Sequence, residues 1–257
     1  MKNVSIVICA YNEKYTIQYV LKKCRKFNPD AEIIVVDDGS EDSTPEKIAE
    51  VKKTYGITLF TLPKNQGKSN AMAVGIENAK HEIILFFDAD VTGIRKVHFK
   101  KLLQPLSGEE PEADMVLGAP LETLINYRFN PFRSLTGERS LFRKDVMPII
   151  DKIKDIRFGV ETFLNLFYQA HGKKVKYTTL EGLTHPTKYE KTSVAQATRE
   201  YIAEGGQIAD AMLTNYDLIL KRIGNSLESS GNGIKESFRQ IHEELNERIQ
   251  QLLRNNG

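Results

Sequence analysis

The chain reads as an α/β protein: a mixed, mainly parallel sheet flanked by helices, followed by a C-terminal helical extension. Three observations predict this. Short apolar, β-branched runs alternate with stretches of helical spacing through the first half. The runs are continuous rather than alternating, as in strands covered on both faces. Turn and charged residues follow directly after each run, where parallel strands empty into loops.

The elements follow in order. Val4–Ala10 is the first apolar run, and residues 15–27 carry Tyr15, Tyr19, Leu21 and Cys24 at helical spacing. Residues 32–36 form a second strand. Ser43, Thr44 and Pro45 then cap a helix that reaches Tyr55, with proline in the first turn where its missing N–H costs nothing. Residues 58–62 are a short strand, and 68–80 a helix with Ala71, Val74 and Ile76 among its apolar positions. A strand at 83–87, a helix at 96–103 and a strand at 115–117 complete the alternation.

Beyond this the pattern loosens. Residues 126–136 are aromatic and loop-like. Helices are expected over 141–153 and 160–171, a strand over 174–180 and a loop over 182–191. The rest is mostly helical, interrupted near Gly224 and by the serine- and glycine-rich stretch 229–233. In 234–253, Ile234, Phe238, Ile241, Leu245, Ile249 and Leu252 make one narrow apolar stripe, which suits a coiled-coil-like contact or docking on the domain. The expected division is a domain over 1–190, itself split at about 125, and a helical extension over 191–257.

Composition bounds the class. The 36 Lys and Arg residues nearly balance 34 Asp and Glu, giving a formal net charge of +2 and no basic field that would call for nucleic acid. Cys9 and Cys24 lack metal-ligand spacing and read as thiols in a reducing compartment. Met1 runs almost directly into a strand, and no apolar run approaches the roughly 20 residues that span a bilayer. The expectation is a cytoplasmic protein. A homo-oligomer contact or a peripheral membrane contact would fall on the C-terminal helices.

The chemistry lies in four loops after four strands. They are Ala10-Tyr11-Asn12-Glu13, Asp37-Asp38-Gly39-Ser40, Asn65-Gln66-Gly67-Lys68 and Asp88-Ala89-Asp90. Each alone reads as an ordinary turn or cap. In a parallel sheet all four share one edge, where such folds bind ligands. Two carboxylates at i, i+2 beside a strand end repel one another and are costly to desolvate without a cation. A divalent cation carrying a diphosphate answers both problems. Asp38 can accept from a base imide or from ribose hydroxyls. Gly67 allows close backbone approach, and Lys68 at a helix start adds positive charge for phosphate. Neither G-x-G-x-x-G nor G-x-x-x-x-G-K-[ST] occurs in the chain.

With these motifs in this order, residues 3–125 resemble family 2 glycosyltransferases of the GT-A fold. The resemblance implies a hexosyltransferase with a UDP- or GDP-linked donor and Mn2+ or Mg2+. It also implies that Ala10, Tyr11, Glu13 and Asp38 meet the nucleoside, that Asp88 and Ala89 lie by the ribose or donor sugar, and that Asp90 binds the metal. The stretch Leu135-Thr136-Gly137-Glu138-Arg139 continuing to Arg143, then Phe158-Gly159-Val160-Glu161 and Gly182-Leu183-Thr184-His185, resembles the acceptor half of glucosyl-3-phosphoglycerate synthases more loosely. There the glutamate matching Glu161 sits by the donor sugar, and the histidine matching His185 completes the metal site. Arg139 and Arg143, with Arg128 and Arg133 upstream, would give an anionic acceptor a positive surface, and Lys188 and Lys191 would close on the diphosphate.

One departure matters. Many inverting members carry Glu-Asp where this chain has Glu161-Thr162. Glu161 is therefore either the base of an inverting displacement or a group that orients the donor in a retaining one. Two competing functions stand beside the transferase: a sugar-nucleotide pyrophosphorylase, and a non-catalytic nucleotide-sugar-binding scaffold. The first would carry a glycine- and arginine-rich loop after the first strand, and residues 10–13 are not one.

Overall fold

A computed structural model describes residues 4–119, 136–156 and 159–184, together with Leu218 and Lys221. Residues 1–3, 120–135, 157–158 and 185–257 otherwise lie outside it. So do the expectations on Arg128, Arg133, Phe158, His185, Lys188, Lys191 and the terminal helices.

The described chain runs β1 (Val4–Ala10), α1 (Ile17–Phe27), β2 (Glu32–Asp37), α2 (Thr44–Tyr55), β3 (Ile57–Thr61), α3 (Lys68–Asn78), β4 (Ile83–Phe86) and α4 (Lys96–Leu103). It continues with β5 (Met115–Ala119), β6 (Arg139–Phe142), α5 (Arg143–Val146), α6 (Ile150–Asp155), α7 (Val160–Ala170) and β7 (Val175–Thr179). These strands form one seven-stranded sheet in the order β3-β2-β1-β4-β6-β5-β7. Neighbouring pairs are parallel except those of β6, which runs antiparallel to both β4 and β5. The carboxyl ends of the other six strands therefore share one edge, with the start of β6 among them.

Pleating sorts the strand residues to two cores. Ile6, Ile8, Ile33, Val35 and Leu85 pack toward α1, α2 and α4, against Ile17, Leu21, Ile48, Phe99 and Leu102. Val7, Ile34, Val36, Ile84 and Phe86 face the other side, against Ala71, Met72 and Ile76 of α3 and Phe163, Leu164 and Tyr168 of α7. The small residues of α3 bring it close to the sheet: a Cβ on Gly75 would lie 2.3 Å from Val7 Cγ1. That contact holds α3, which Lys68 opens, close against β1.

Winding reverses between β1 and β4. From β1 the chain proceeds outward through β2 and β3, then returns to place β4 on the other side. A crevice outside the carboxyl ends of β1 and β4 follows from this reversal. One expected element differs from the structure. The helix over 141–153 is instead β6 followed by α5, a short 3-10 turn containing Pro148, and α6. β6 gives no apolar signal because two of its four residues, Arg139 and Ser140, are polar yet wholly buried. Among the described residues no helix is long and apolar enough to cross a membrane.

Candidate active site

The first loops are tied to one another before they offer anything to a ligand. Asn12 takes a left-handed φ of 58°, which asparagine tolerates better than most side chains. Its amide donates to Ser40 Oγ at 3.0 Å, and its Oδ1 accepts from Glu41 N at 2.9 Å. Glu13 N donates to Thr44 Oγ1 at 2.8 Å. Ala10 is buried at the end of β1, while Tyr11 is exposed. Asp38 is buried, and its two carboxylate oxygens accept from Gln66 N and Gly67 N, each at 2.8 Å. Burial pushes its carboxyl upward against these two amide donors. Here Asp38 holds the 65–67 loop. Gly67, at φ 93°, turns that loop into α3.

Lys68 then reaches two acids from different elements. Its Nζ lies 3.0 Å from Asp88 Oδ1 beyond β4 and 2.8 Å from Glu161 Oε1 in the first turn of α7. Glu161 gains from the helix N-terminus, where a carboxylate is favoured. Burial would raise its carboxyl, but Lys68 and Arg139 outweigh that and hold it at about 2. The same two acids hold the Lys68 ammonium well above its ordinary value despite the opposing burial. Cys9 stands on this floor too; burial pushes its thiol to about 12, so it stays protonated.

Below the acids lies a second cation. Arg139 opens β6 and is wholly buried. Its Nη2 donates to Thr136 O at 2.6 Å, and its Nη1 to Glu161 O and Asn165 Oδ1, each at 3.3 Å. Burial lowers its guanidinium, opposed by Glu161, Asp88 and Glu138. Arg139 therefore does not face an acceptor, as its arginine chemistry had suggested; it is the internal counter-charge of the acid pair. Arg143 also departs from expectation. It leaves β6 at the opposite edge of the sheet, where Nε donates to Ile76 O and Nη2 to Glu77 O, closing the last turn of α3.

Gly137 had been quoted only as part of a motif, yet it has a physical role. A Cβ there would lie 2.1 Å from Asp88 Oδ2, so only glycine lets the Asp88 carboxylate sit where it does. Thr136 and Thr184 had likewise been quoted only within motifs, and Asn165 and Thr92 escaped the sequence reading. Thr92 follows Asp90 by two residues and pairs with Thr184 as an isolated antiparallel bridge. That bridge brings the chain leading to residue 185 beside the Asp88-Ala89-Asp90 turn. Ala89 is buried and Asp90 partly exposed. Among the described residues, no three His, Cys, Asp or Glu side chains group as a metal site by themselves.

A family model described as Glycosyl transferase family 2 matches residues 5–178. Among curated proteins, the poly-β-1,6-N-acetyl-D-glucosamine synthase of Staphylococcus epidermidis is 37% identical over 91 residues, 35% of this chain and 22% of that protein. The chain thus spans about a fifth of the length of the first such relatives. An uncharacterized protein of Methanocaldococcus jannaschii is 31% identical over 226 residues, covering 77% of this chain and 93% of its own. Among solved structures, glucosyl-3-phosphoglycerate synthase from Mycobacterium tuberculosis with Mn2+, UDP and phosphoglyceric acid superposes with TM-score 0.65 at 19% identity, over 83% of this chain and 78% of that one. The same enzyme with Mg2+ and UDP gives 0.64 at 19%, over 83% and 79%.

Proposed function

Since the chain belongs to glycosyl transferase family 2 and has the GT-A fold, we propose that it transfers a hexose from a UDP-linked donor, with Mn2+ or Mg2+, to an acceptor hydroxyl. A GDP-linked donor and an acceptor phosphate are the variants to be separated by assay. The observation that carries this reading is the Lys68–Asp88–Glu161 cluster at the β1/β4 crevice, backed by buried Arg139. Family membership weighs against a pyrophosphorylase. Acids held in opposition around one lysine weigh against an inert scaffold.

In this reading the diphosphate lies across the 65–68 turn, where Lys68 and the start of α3 offer positive charge. Lys68 then exchanges its carboxylate partners for phosphate oxygens. Asp88 and Glu161 turn to the hydroxyls of ribose and sugar. The carboxylate of Asp90 is a hard-oxygen donor suited to Mn2+ or Mg2+, and His185, which follows the bridge residue Thr184 in sequence, is the second ligand that the family resemblance implies. That sparse protein donor set fits an ion completed by diphosphate oxygens. The metal's contribution is to neutralise charge on the departing nucleoside diphosphate.

Glu161 is held ionised down to about 2. When Lys68 turns to phosphate, Arg139 remains beside Glu161 and still disfavours its taking up a proton, so Glu161 is a poor base for the acceptor hydroxyl. It is suited to stabilising positive charge at the anomeric carbon and to holding the sugar. This favours retention, with the leaving phosphate taking the acceptor proton. The acceptor we propose is a small hydroxylated anion, of the class to which the phosphoglyceric acid bound by the structural neighbour belongs. Arg128 and Arg133 are the cations proposed for it, and Lys188 is proposed for either the acceptor or the diphosphate. Purified protein incubated with UDP-glucose, UDP-N-acetylglucosamine and GDP-mannose, with and without phosphoglyceric acid, should release one nucleoside diphosphate in a metal- and acceptor-dependent way. Mass spectrometry of the product and NMR of its anomeric proton then give acceptor and stereochemistry. Release of pyrophosphate-exchange products instead, or inversion at the anomeric carbon, contradicts the reading.

A further inference from the structure

The turn beyond Asp90 and the segment from Thr179 to Thr184 are joined far more closely than two adjacent loops require. Thr92 N donates to Thr184 O at 2.9 Å, Thr184 N returns to Thr92 O at 3.2 Å, and the two hydroxyls lie 2.7 Å apart. Lys101 Nζ donates to Thr179 O at 2.8 Å. Gly93 and Gly182 both have left-handed φ, 68° and 74°. A Cβ on Gly93 would lie 1.8 Å from Gly182 O, so the two turns are in backbone contact. Val91, Ile94 and Leu183 share the core that holds Phe99.

At the centre is His98, an imidazole with no solvent exposure that the donor site does not use. Its Nδ1 accepts from Arg95 N at 3.3 Å. That leaves the proton on Nε2, which lies 3.0 Å from Glu181 O and donates to it. The Arg95 guanidinium donates to the same Glu181 carbonyl. Burial, with Arg95 and Lys101 nearby, holds the imidazole below its ordinary value, against the pull of Glu181 O, so this neutral tautomer persists. A buried phenyl ring would fill the same volume with no donors to satisfy. Two donors aimed at one loop carbonyl instead fix that carbonyl's position.

We propose that His98 and Arg95 are positioning residues that clasp the Glu181–Thr184 backbone to the turn after Asp90, and that this clasp sets the metal-dependent part of nucleotide binding. The proposal rests on the reading of Asp90 as a metal ligand. Its logic is that of outer groups that orient a ligand without touching the ion, whose loss costs roughly 10- to 100-fold in affinity. The clasp acts on the turn that follows Asp90 and leaves the base and ribose contacts alone.

The test uses the full chain and two variants, His98→Phe, which keeps the volume, and Arg95→Met, which removes an exposed guanidinium and spares the core. Amide hydrogen exchange across 181–184 is measured, along with calorimetric affinity for UDP, and for GDP in parallel, with Mn2+ and with chelator. In both variants we expect faster exchange at 181–184. The Mn2+-dependent gain in affinity should fall about tenfold, with the chelator affinity unchanged. Unchanged exchange at 181–184 overturns the clasp. Faster exchange with the Mn2+ gain intact overturns its role in binding and leaves it a stabilising contact. Absence of any Mn2+ gain in the unaltered protein contradicts the metal reading itself, an outcome distinct from either variant result.

Discussion

The two edges of the sheet carry charge in opposite ways. At the edge where β1 and β2 begin, Glu32 accepts from Ser5 Oγ at 2.7 Å and Lys80 N at 2.9 Å, tying two strand starts together. Arg143 closes the end of α3, and Lys173 reaches Asp145 at 2.9 Å. Each of these side chains fastens a backbone group or a neighbouring charge. At the other edge, one lysine faces two carboxylates from separate elements, and the cation that balances them is buried beneath. The first arrangement holds the fold together. The second keeps like charges close at the mouth of a crevice, which folding alone does not require. The difference supports the proposal that the carboxyl edge is the working one.

The contrast can be broken at its strongest point first. Arg139→Met removes the counter-charge and leaves the half-buried Asp88 and Glu161 carboxylates with Lys68 alone, which should cost about 3 kcal/mol in urea unfolding. Lys68→Met should spare most of that stability while lowering kcat/KM for sugar transfer about 100-fold, about 2.7 kcal/mol in the transition state. Gly137→Ala pushes a methyl group into the Asp88 carboxylate. A loss of about tenfold in kcat/KM is expected, with an unfolding midpoint close to the parent's. Arg143→Met at the opposite edge should cost about 1 kcal/mol of stability and leave kcat/KM unchanged. Equal catalytic losses from Arg143→Met and Gly137→Ala would erase the distinction between the edges.

Acid sharpens the same comparison. The Glu161 carboxyl is held at about 2, below its ordinary 4.5. A depressed carboxyl contributes stability above its unfolded value and loses it as pH falls through the folded one. Part of the parent's stability should therefore drain away between about 4.5 and 2, and Glu161→Gln should flatten that stretch of a stability-versus-pH curve.

The sheet from β1 to β4 was legible because its signals are local. Val4–Ala10 and the other apolar runs need no distant partner to read as strands, and Gly67 and Asp38 mark turns on their own. β6 was hidden because the burial of Arg139 and Ser140 depends on Thr136 O, Asn165 and Leu102 O, which sequence spacing does not reveal. The two arginines show the consequence. Arg139 and Arg143 were read together as acceptor-facing. Four residues of extended chain span roughly 13 Å, and that separation takes them to opposite edges of the sheet. Asp38 shows a subtler gap: its residue type fits a nucleoside contact, but the two amides it binds come from a loop some thirty residues away. Gly137 was visible as a letter in a motif, while the reason for it, a carboxylate 2.1 Å from where its Cβ would be, belongs to three dimensions.

The central claim is that the carboxyl edge of β1 and β4 holds a nucleoside diphosphate through a metal. Calorimetric titration of UDP and GDP into the parent and Asp90→Ala, with Mn2+ and with chelator, tests it most directly. The account predicts that one nucleotide binds the parent tightly only with Mn2+, and that Asp90→Ala loses this increment while keeping its unfolding midpoint. Mn2+-dependent affinity unchanged in Asp90→Ala, or no binding of either nucleotide to the parent, would contradict it.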